Sequence, residues 1–189
     1  EEQEKQHWLK KAEGVLAPFL ETKIHEQDSE GLNHCNIPLG YGRVQNSGNL
    51  DLPTFLDSSS VFFEEHILDE VFEHNQLQIL ENSIKYKRIE AKKIVFCEGF
   101  CVKDNPYFNW IPLKPAKGEV LTIASKDLSL KNTVFNKNGF LMDLADGTYK
   151  LGATYAWDDL SETPTVAAKK ELIEKLQNMI TCKFEVTSH

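Results

Sequence analysis

Apolar residues recur at helical spacing in three parts of the chain. Near its start they predict a helix over residues 7–20, which Pro18 should end or distort. A second helix is predicted over about residues 52–65, because Asp51 can cap it and Pro53 is tolerated in a first turn. A third should open after Thr163-Pro-Thr165, with a buried stripe formed by Leu172, Ile173, Leu176 and Met179.

Between the second and third helices the apolar period shortens to two, which is typical of β-strands. Asn138-Gly139 and Asp146-Gly147 predict hairpin turns, because glycine and asparagine accept positive φ at low cost. Residues 94–97 are apolar on both faces and so predict the most buried strand. The strands predicted in this region are residues 67–72, 77–80, 84–87, 93–97, 119–123, 132–135, 140–144 and 149–154. Two more strands are predicted outside it, at residues 40–44 and 182–186.

These elements predict an α+β fold with a mixed, mostly antiparallel sheet and about three helices. Because no repeat, low-complexity tract or linker interrupts the pattern, residues 1–189 are interpreted as a single domain.

The composition, 41% hydrophobic and 26% charged residues, is that of an ordinary globular protein. A formal net charge of −8 argues against nucleic acid or an anionic membrane as a partner, since both attract basic surfaces. No apolar run approaches the roughly 20 residues that span a bilayer. The chain opens on acidic residues rather than on a basic and apolar leader. The chain also lacks an initiator Met, which fits an excised fragment, although a processed protein would look the same.

The four cysteines, Cys35, Cys97, Cys101 and Cys182, are too few and too scattered for a disulfide framework, so a reduced, cytoplasmic location is expected. Cys97 and Cys101 lack both the C-x-x-C spacing and the second pair that a zinc site needs. No metal site is predicted.

Three segments of the chain together resemble a known family. They are Ile-Val-Phe-Cys-Glu-Gly-Phe at residues 94–100, Leu-Lys-Pro-Ala-Lys-Gly-Glu-Val-Leu at 113–121 and Tyr-Lys-Leu-Gly-Ala-Thr-Tyr at 149–155. The pattern resembles the D-amino-acid oxidase and glycine oxidase family of FAD-dependent oxidoreductases. The resemblance implies a substrate domain, FAD as the cofactor of the parent protein, and an amine or amino acid as the substrate.

The resemblance also implies site residues. Gly99 would leave room for the cofactor beside the backbone, although a glycine turn after a core strand explains it as well. Lys117 and Gly118 would lie where the chain enters the sheet facing the flavin, with Lys117 as a positive charge near the ring, or else form a surface turn. Tyr149 and Thr154 would line the substrate cavity, or serve only sheet packing.

A substrate carboxylate calls for a cation, and the planar fork of arginine suits it best. Of the two arginines, Arg43 follows the Gly40-Tyr-Gly42 segment and is the better candidate, while Arg88 lies in a run of alternating charge and looks solvent-facing. No catalytic nucleophile or acid–base pair is singled out, because in this family the flavin carries the chemistry.

The dinucleotide fingerprint that such an enzyme needs is missing. Gly40-Tyr-Gly42 is the only G-x-G, position 45 is glutamine rather than glycine, and no helix is predicted directly after it. We therefore expect a substrate-binding fragment that alone neither binds FAD tightly nor turns over. Its partner would be the missing FAD-binding segments of the same chain. The alternative is a stand-alone α+β ligand-binding or interaction module without redox activity.

Overall fold

The computed structural model describes residues 2–26, 32–131 and 133–189. The chain divides into two compact units, which we call unit 1 (Glu1–Gly48 with Ala116–His189) and unit 2 (Asn49–Pro115). The single domain expected over residues 1–189 stays a prediction.

Unit 1 is built on a five-stranded antiparallel sheet. Its strands are β6 (Val120–Ala124), β7 (Val134–Asn136), β8 (Phe140–Asp143), β9 (Thr148–Gly152) and β10 (Glu185–Ser188), in the order β10-β6-β9-β8-β7. The two predicted hairpin turns are confirmed, since Asn138 and Gly147 have positive φ between paired strands. Asn132, the first residue of one predicted strand, lies outside the described residues.

The helix α3 (Val166–Met179) packs against β6 and β9 and closes the core of unit 1. Thr165 caps it by accepting a hydrogen bond from the Ala168 amide. Leu172, Leu176 and Met179 are buried as predicted, whereas Ile173 of the predicted stripe is half-buried. Strand side chains alternate between the two faces, so one face of the sheet enters this core. The core residues from the sheet are Leu121, Ile123, Phe135, Leu141, Tyr149 and Leu151.

The N-terminal part of unit 1 contains α1 (Glu2–Ala12) and a hairpin of β1 (Leu20–His25) with β2 (Tyr41–Val44). The helix predicted over residues 7–20 is wrong in its bounds. Turns around Gly14, with Ala17 donating to the Gly14 carbonyl, replace its second half, and Leu20 already begins a strand. The indole of Trp8 lies over Gly42, where a Cβ would come 2.2 Å from the ring.

Unit 2 contains α2 (Leu52–Phe62) and a three-stranded antiparallel sheet of β3 (Leu77–Ile79), β4 (Ile84–Tyr86) and β5 (Ile89–Ala91). Short 3₁₀ helices span Glu64–His66, His74–Gln76 and Gly99–Asp104. The predicted cap of α2 is confirmed, because Asp51 accepts from the Thr54 amide at 3.2 Å. No residue of α2 is buried.

Two strands predicted for the meander are wrong. Residues 67–72 and 93–97 form no strand, and the run expected to be the most buried is largely exposed, with Val95 at 81%. A strand that is apolar on both faces needs a covering layer on each side, whereas in unit 2 aromatic side chains pack only on Phe96 of this run.

The α+β class, the three α-helices and the mostly antiparallel pairing are confirmed. In the described residues the strands are distributed over three sheets rather than one. The same residues include no helix long and apolar enough to cross a membrane.

Candidate functional site

Lys117 is the most strongly engaged of the predicted site residues. Its side chain is only 8% exposed, and its Nζ lies 3.0 Å from Asp159 Oδ2 and 3.4 Å from Glu119 Oε1. It also donates to Ser161 Oγ and to the Thr163 carbonyl. Desolvation opposes its charge, but the bonds to Asp159 and Glu119 outweigh this and raise the pKa of Lys117. The ammonium is therefore held by the protein itself.

Glu119 connects the start of β6 to the start of α3. Its carboxylate accepts from the Thr165 amide at 2.8 Å and from the Thr165 hydroxyl at 3.0 Å. Desolvation acts to raise the pKa of Glu119, but the bonds from Thr165 and Lys117 prevail and lower it. Glu119 is thus a buried carboxylate whose negative charge stabilises the contacts with Lys117 and Thr165.

Asp159 holds the segment after β9. It accepts from the Ser161 amide at 2.8 Å and from Lys117 at 3.0 Å. The bonds from the Ser161 backbone and side chain, followed by the bond from Lys117, lower the pKa of Asp159 to about 2.

Three predicted site residues meet at this place. Gly118 lies between Lys117 and Glu119, and a Cβ on it would come 3.3 Å from the Thr154 carbonyl oxygen. The hydroxyl of Thr154 accepts from the Glu119 amide at 3.1 Å, and Thr154 is buried. Packing and hydrogen bonds within unit 1 therefore bring Lys117, Gly118 and Thr154 together.

Tyr149 lies elsewhere in unit 1. It faces the core, and its hydroxyl donates to the Leu128 carbonyl at 2.5 Å. Burial raises the pKa of Tyr149. As a substrate contact Tyr149 stays a prediction, and its side chain is on the covered face of the sheet.

Arg43 lies on β2, in the hairpin with β1. Its Nη1 is 3.8 Å from Glu21 Oε1, and the other oxygen of Glu21 is 2.5 Å from His25 Nε2. The pKa of Glu21 is lowered by the His25 bond first, and then by Gln45 and Arg43. A substrate carboxylate at Arg43 would compete with this neighbouring carboxylate.

Gly99 belongs to unit 2, where it begins a 3₁₀ helix with φ +56°. No atom lies within 4 Å of the Cβ that another residue would place there. The conformation favours glycine, and the adjacent space is open.

The loop after Gly99 is organised by Asn105, which sequence reasoning missed. Its side chain donates to Glu98 at 2.7 Å and accepts from the Tyr107 amide, and Glu98 also lies 3.2 Å from His74 Nε2. The Asn-Pro pair at residues 105–106 is a turn signal that could have marked it. Of the loop aromatics, Tyr107 and Phe108 pack on Phe96, whereas Trp110 is exposed.

The outer face of the five-stranded sheet was also missed. Lys150 pairs with Thr122 on one side and Met142 on the other, and Gly152 pairs with Val120 and Phe140. These side chains point away from the core because Tyr149 and Leu151 point into it. We call this surface the open face, defined by Val120, Thr122, Phe140, Met142 and Lys150. The alternation of Tyr149, Lys150 and Leu151 was the signal that could have found it.

In the described ranges 2–26, 32–131 and 133–189, no three His, Cys, Asp or Glu side chains converge as a metal site requires.

Comparison with known proteins gives distant and partial similarities. The chain is 24% identical to the glycine oxidase of Bacillus subtilis over 68% of its own length, and 27% identical to the glycine oxidase of Bacillus licheniformis over 59%. It is 27% identical over 48% of its length to the tRNA 5-methylaminomethyl-2-thiouridine biosynthesis bifunctional protein MnmC of Nitrosospira multiformis.

The chain spans 37%, 32% and 15% of the lengths of these three proteins. No family model matches it, and neither does any solved structure. These similarities support in part the resemblance drawn from the sequence, at the level of flavin-dependent amine oxidoreductases.

Proposed function

We propose that this chain is the substrate-binding portion of an FAD-dependent oxidoreductase that oxidises an amine or amino acid by hydride transfer to the flavin. The observation that carries the proposal is the similarity to two glycine oxidases over 59% and 68% of the chain. Because the chain covers at most 37% of those proteins, the activity would belong to a longer parent protein.

The surface of unit 2 supports a missing partner. Large apolar residues of α2 and of other segments of unit 2 are exposed, and exposed apolar surface of this kind often marks an interaction site. The remaining segments of the same parent chain would cover them. The exposed residues include Leu52, Phe55, Leu56, Val61, Phe62, Phe63, Ile67, Leu68, Ile94 and Val95.

The residues of this chain do not fit a complete FAD site. Gly99 has open space beside it, as the approach of a flat ring to the backbone requires. Lys117 has its ammonium bound by two carboxylates, and a Cβ on Gly118 would lie 3.3 Å from the Thr154 carbonyl oxygen, which leaves little room there. The glycine-rich fingerprint for the ADP moiety is absent from the sequence. FAD would therefore be held mainly by other segments.

The decisive experiment compares the 189-residue chain with the product of the extended reading frame. Both are purified, desalted and examined for flavin absorbance, and then assayed for reduction of an artificial electron acceptor by small amines and amino acids. We expect the extended protein to be yellow and active, and the 189-residue chain to be colourless and inactive. An extended protein without flavin would overturn the proposal, as would a 189-residue chain that retains flavin through desalting.

A second candidate function rests on a cavity in unit 2. Its volume is about 340 Å³, and Leu68, Leu77, Ile84, Ile89 and Ile94 are among its lining residues. This is within the size range of small-molecule sites, about 300–1,000 Å³. A stand-alone module would bind an apolar ligand in this cavity without flavin. Its affinity for the ligand would be the same in the 189-residue chain and in the product of the extended reading frame.

A further inference from the structure

Lys150 lies at the centre of the open face. The register of the sheet places it in one row with Thr122 on β6 and Met142 on β8. Directly paired side chains of antiparallel strands have Cβ atoms about 4.5–5.5 Å apart. Lys150, Thr122 and Met142 are all half-buried, so the ammonium rises from a partly desolvated surface.

Beside this row is an apolar patch. At Gly152 a Cβ would lie 2.6 Å from two atoms of the Phe140 ring and 2.9 Å from Val120 Cγ1. The Phe140 ring therefore crosses β9 at the position without a side chain and reaches Val120. Because residues two apart along a strand are separated by about 6.5–7 Å, this patch lies within one small molecule's length of Lys150.

The charge of Lys150 is uncompensated within the described residues. Three other half-buried lysines of unit 1 have partners: Lys117 pairs with two carboxylates, Lys175 pairs with Glu171 at 2.8 Å, and Lys137 donates to two carbonyl oxygens. No ion pair or side-chain hydrogen bond of Lys150 occurs in residues 2–26, 32–131 and 133–189. Asp143 on β8 pairs with Tyr149, whose side chain faces the core, and Glu185 pairs with Ala124 in the next row of the open face.

We propose that Lys150 binds the carboxylate of the substrate on the open face, with the Phe140–Val120 patch receiving its apolar part. This inference rests on the proposed function and narrows the substrate to a small apolar amino acid or carboxylate-bearing amine. An ammonium without a protein partner complements a carboxylate, and charge-assisted hydrogen bonds are stronger than neutral ones. Thr122 can add a hydroxyl donor from the adjacent strand. Arg43, the cation expected from the sequence, already faces Glu21.

The test uses phenylacetate and its neutral isostere phenylacetamide as probes of the 189-residue chain, followed by NMR. We expect phenylacetate to shift signals of Thr122, Phe140 and Met142, and to bind roughly tenfold or more tightly than phenylacetamide. Lys150→Met should reduce phenylacetate affinity by a similar factor and abolish the preference for the acid, while Lys150→Arg should retain it. Lys170→Met is the matched control, since Lys170 is 78% exposed on α3.

Equal affinity of the wild-type chain and Lys150→Met for phenylacetate would overturn the inference. So would shifts confined to other surfaces, equal binding of acid and amide, or no binding. Circular dichroism should show that Lys150→Met stays folded, because the side chain holds no protein partner in the described residues. The proposed function is tested separately. An extended protein without flavin would overturn that function, whereas Lys150-dependent binding of the acid would still be observed.

Discussion

The two units of the chain differ in how they use their apolar residues. Unit 1 buries a continuous set from the five-stranded sheet, α3 and residues 35–37. In unit 2, which is described throughout, the buried residues are Tyr86 and Asn105, and every apolar side chain of α2 is exposed. Unit 1 thus has the core of an independent domain, while the exposed apolar residues of unit 2 are of the kind found at interaction sites.

This difference shows which elements are stabilised by contacts within their own unit. The strands and helix of unit 1 find their partners within residues 1–48 and 116–189. The apolar run at 94–97 and the apolar stripe of α2 consist of residues typical of a core, yet α2 has no buried residue and only Phe96 of the run is half-buried. We expect their stability to depend on segments of the parent chain.

The largest contrast should appear when one leucine is truncated in each unit. Leu176→Ala removes a fully buried side chain of α3 and should lower the free energy of unfolding by about 2–5 kcal/mol. Leu56→Ala, at a position that is 52% exposed on α2, should change it by about 0.5 kcal/mol or less. Urea unfolding followed by circular dichroism measures both.

The same pair sharpens the comparison in the extended protein. If missing segments cover α2, Leu56→Ala becomes costly there while the effect of Leu176→Ala is unchanged. If both variants lowered the free energy of unfolding of the 189-residue chain by the same large amount, the difference in burial between the two units would be contradicted.

The elements of unit 1 could be predicted because their signals are local. The cap at Thr165, the stripe of Leu172, Leu176 and Met179, and the two glycine-containing hairpins each depend on neighbouring residues in sequence. The exposure of residues 94–97 could not be predicted, because periodicity reports hydrophobicity but not whether a covering layer exists.

Two glycine substitutions should change the stability by intermediate amounts. Gly42→Ala would drive a Cβ into the Trp8 indole, and such overpacking should cost about 1–3 kcal/mol and alter tryptophan fluorescence. Gly99→Ala meets no atom within 4 Å, so its cost should be only the left-handed backbone penalty, about 1–2 kcal/mol, without a packing signal. Gly48→Ala, in open space without positive φ, is the control.

Unchanged tryptophan emission in Gly42→Ala would contradict the packing of α1 on β2. A shift of emission in Gly99→Ala as large as that in Gly42→Ala would mean that unit 2 is packed as tightly as unit 1.

The candidate site could be predicted only in part, because residues far apart in the sequence form its contacts. Lys117, Gly118 and Thr154 do converge, but they converge on Glu119 and α3, and the sequence separation between residues 117 and 159 hides that network. Lys150 could have been placed on the open face by alternation with Tyr149. Its lack of an ion-pair partner in the described residues depends on cross-strand register, which the sequence does not specify.

The smallest effect should be an acid sensitivity that belongs to unit 1. The folded pKa of Asp159 is about 2, below its ordinary 3.8, so its stabilising contribution is complete above pH 3.8 and is lost as the pH falls towards 2. Asp159→Asn should remove this part of the pH dependence and leave a flatter stability profile between pH 4 and 2. Denaturant titrations at several pH values measure it, with Asp158→Asn as the neighbouring control. Because Lys117 and Ser161 are the groups that hold Asp159, a profile that stays equally steep in Asp159→Asn would show that the Lys117 network does not stabilise unit 1 through this carboxylate.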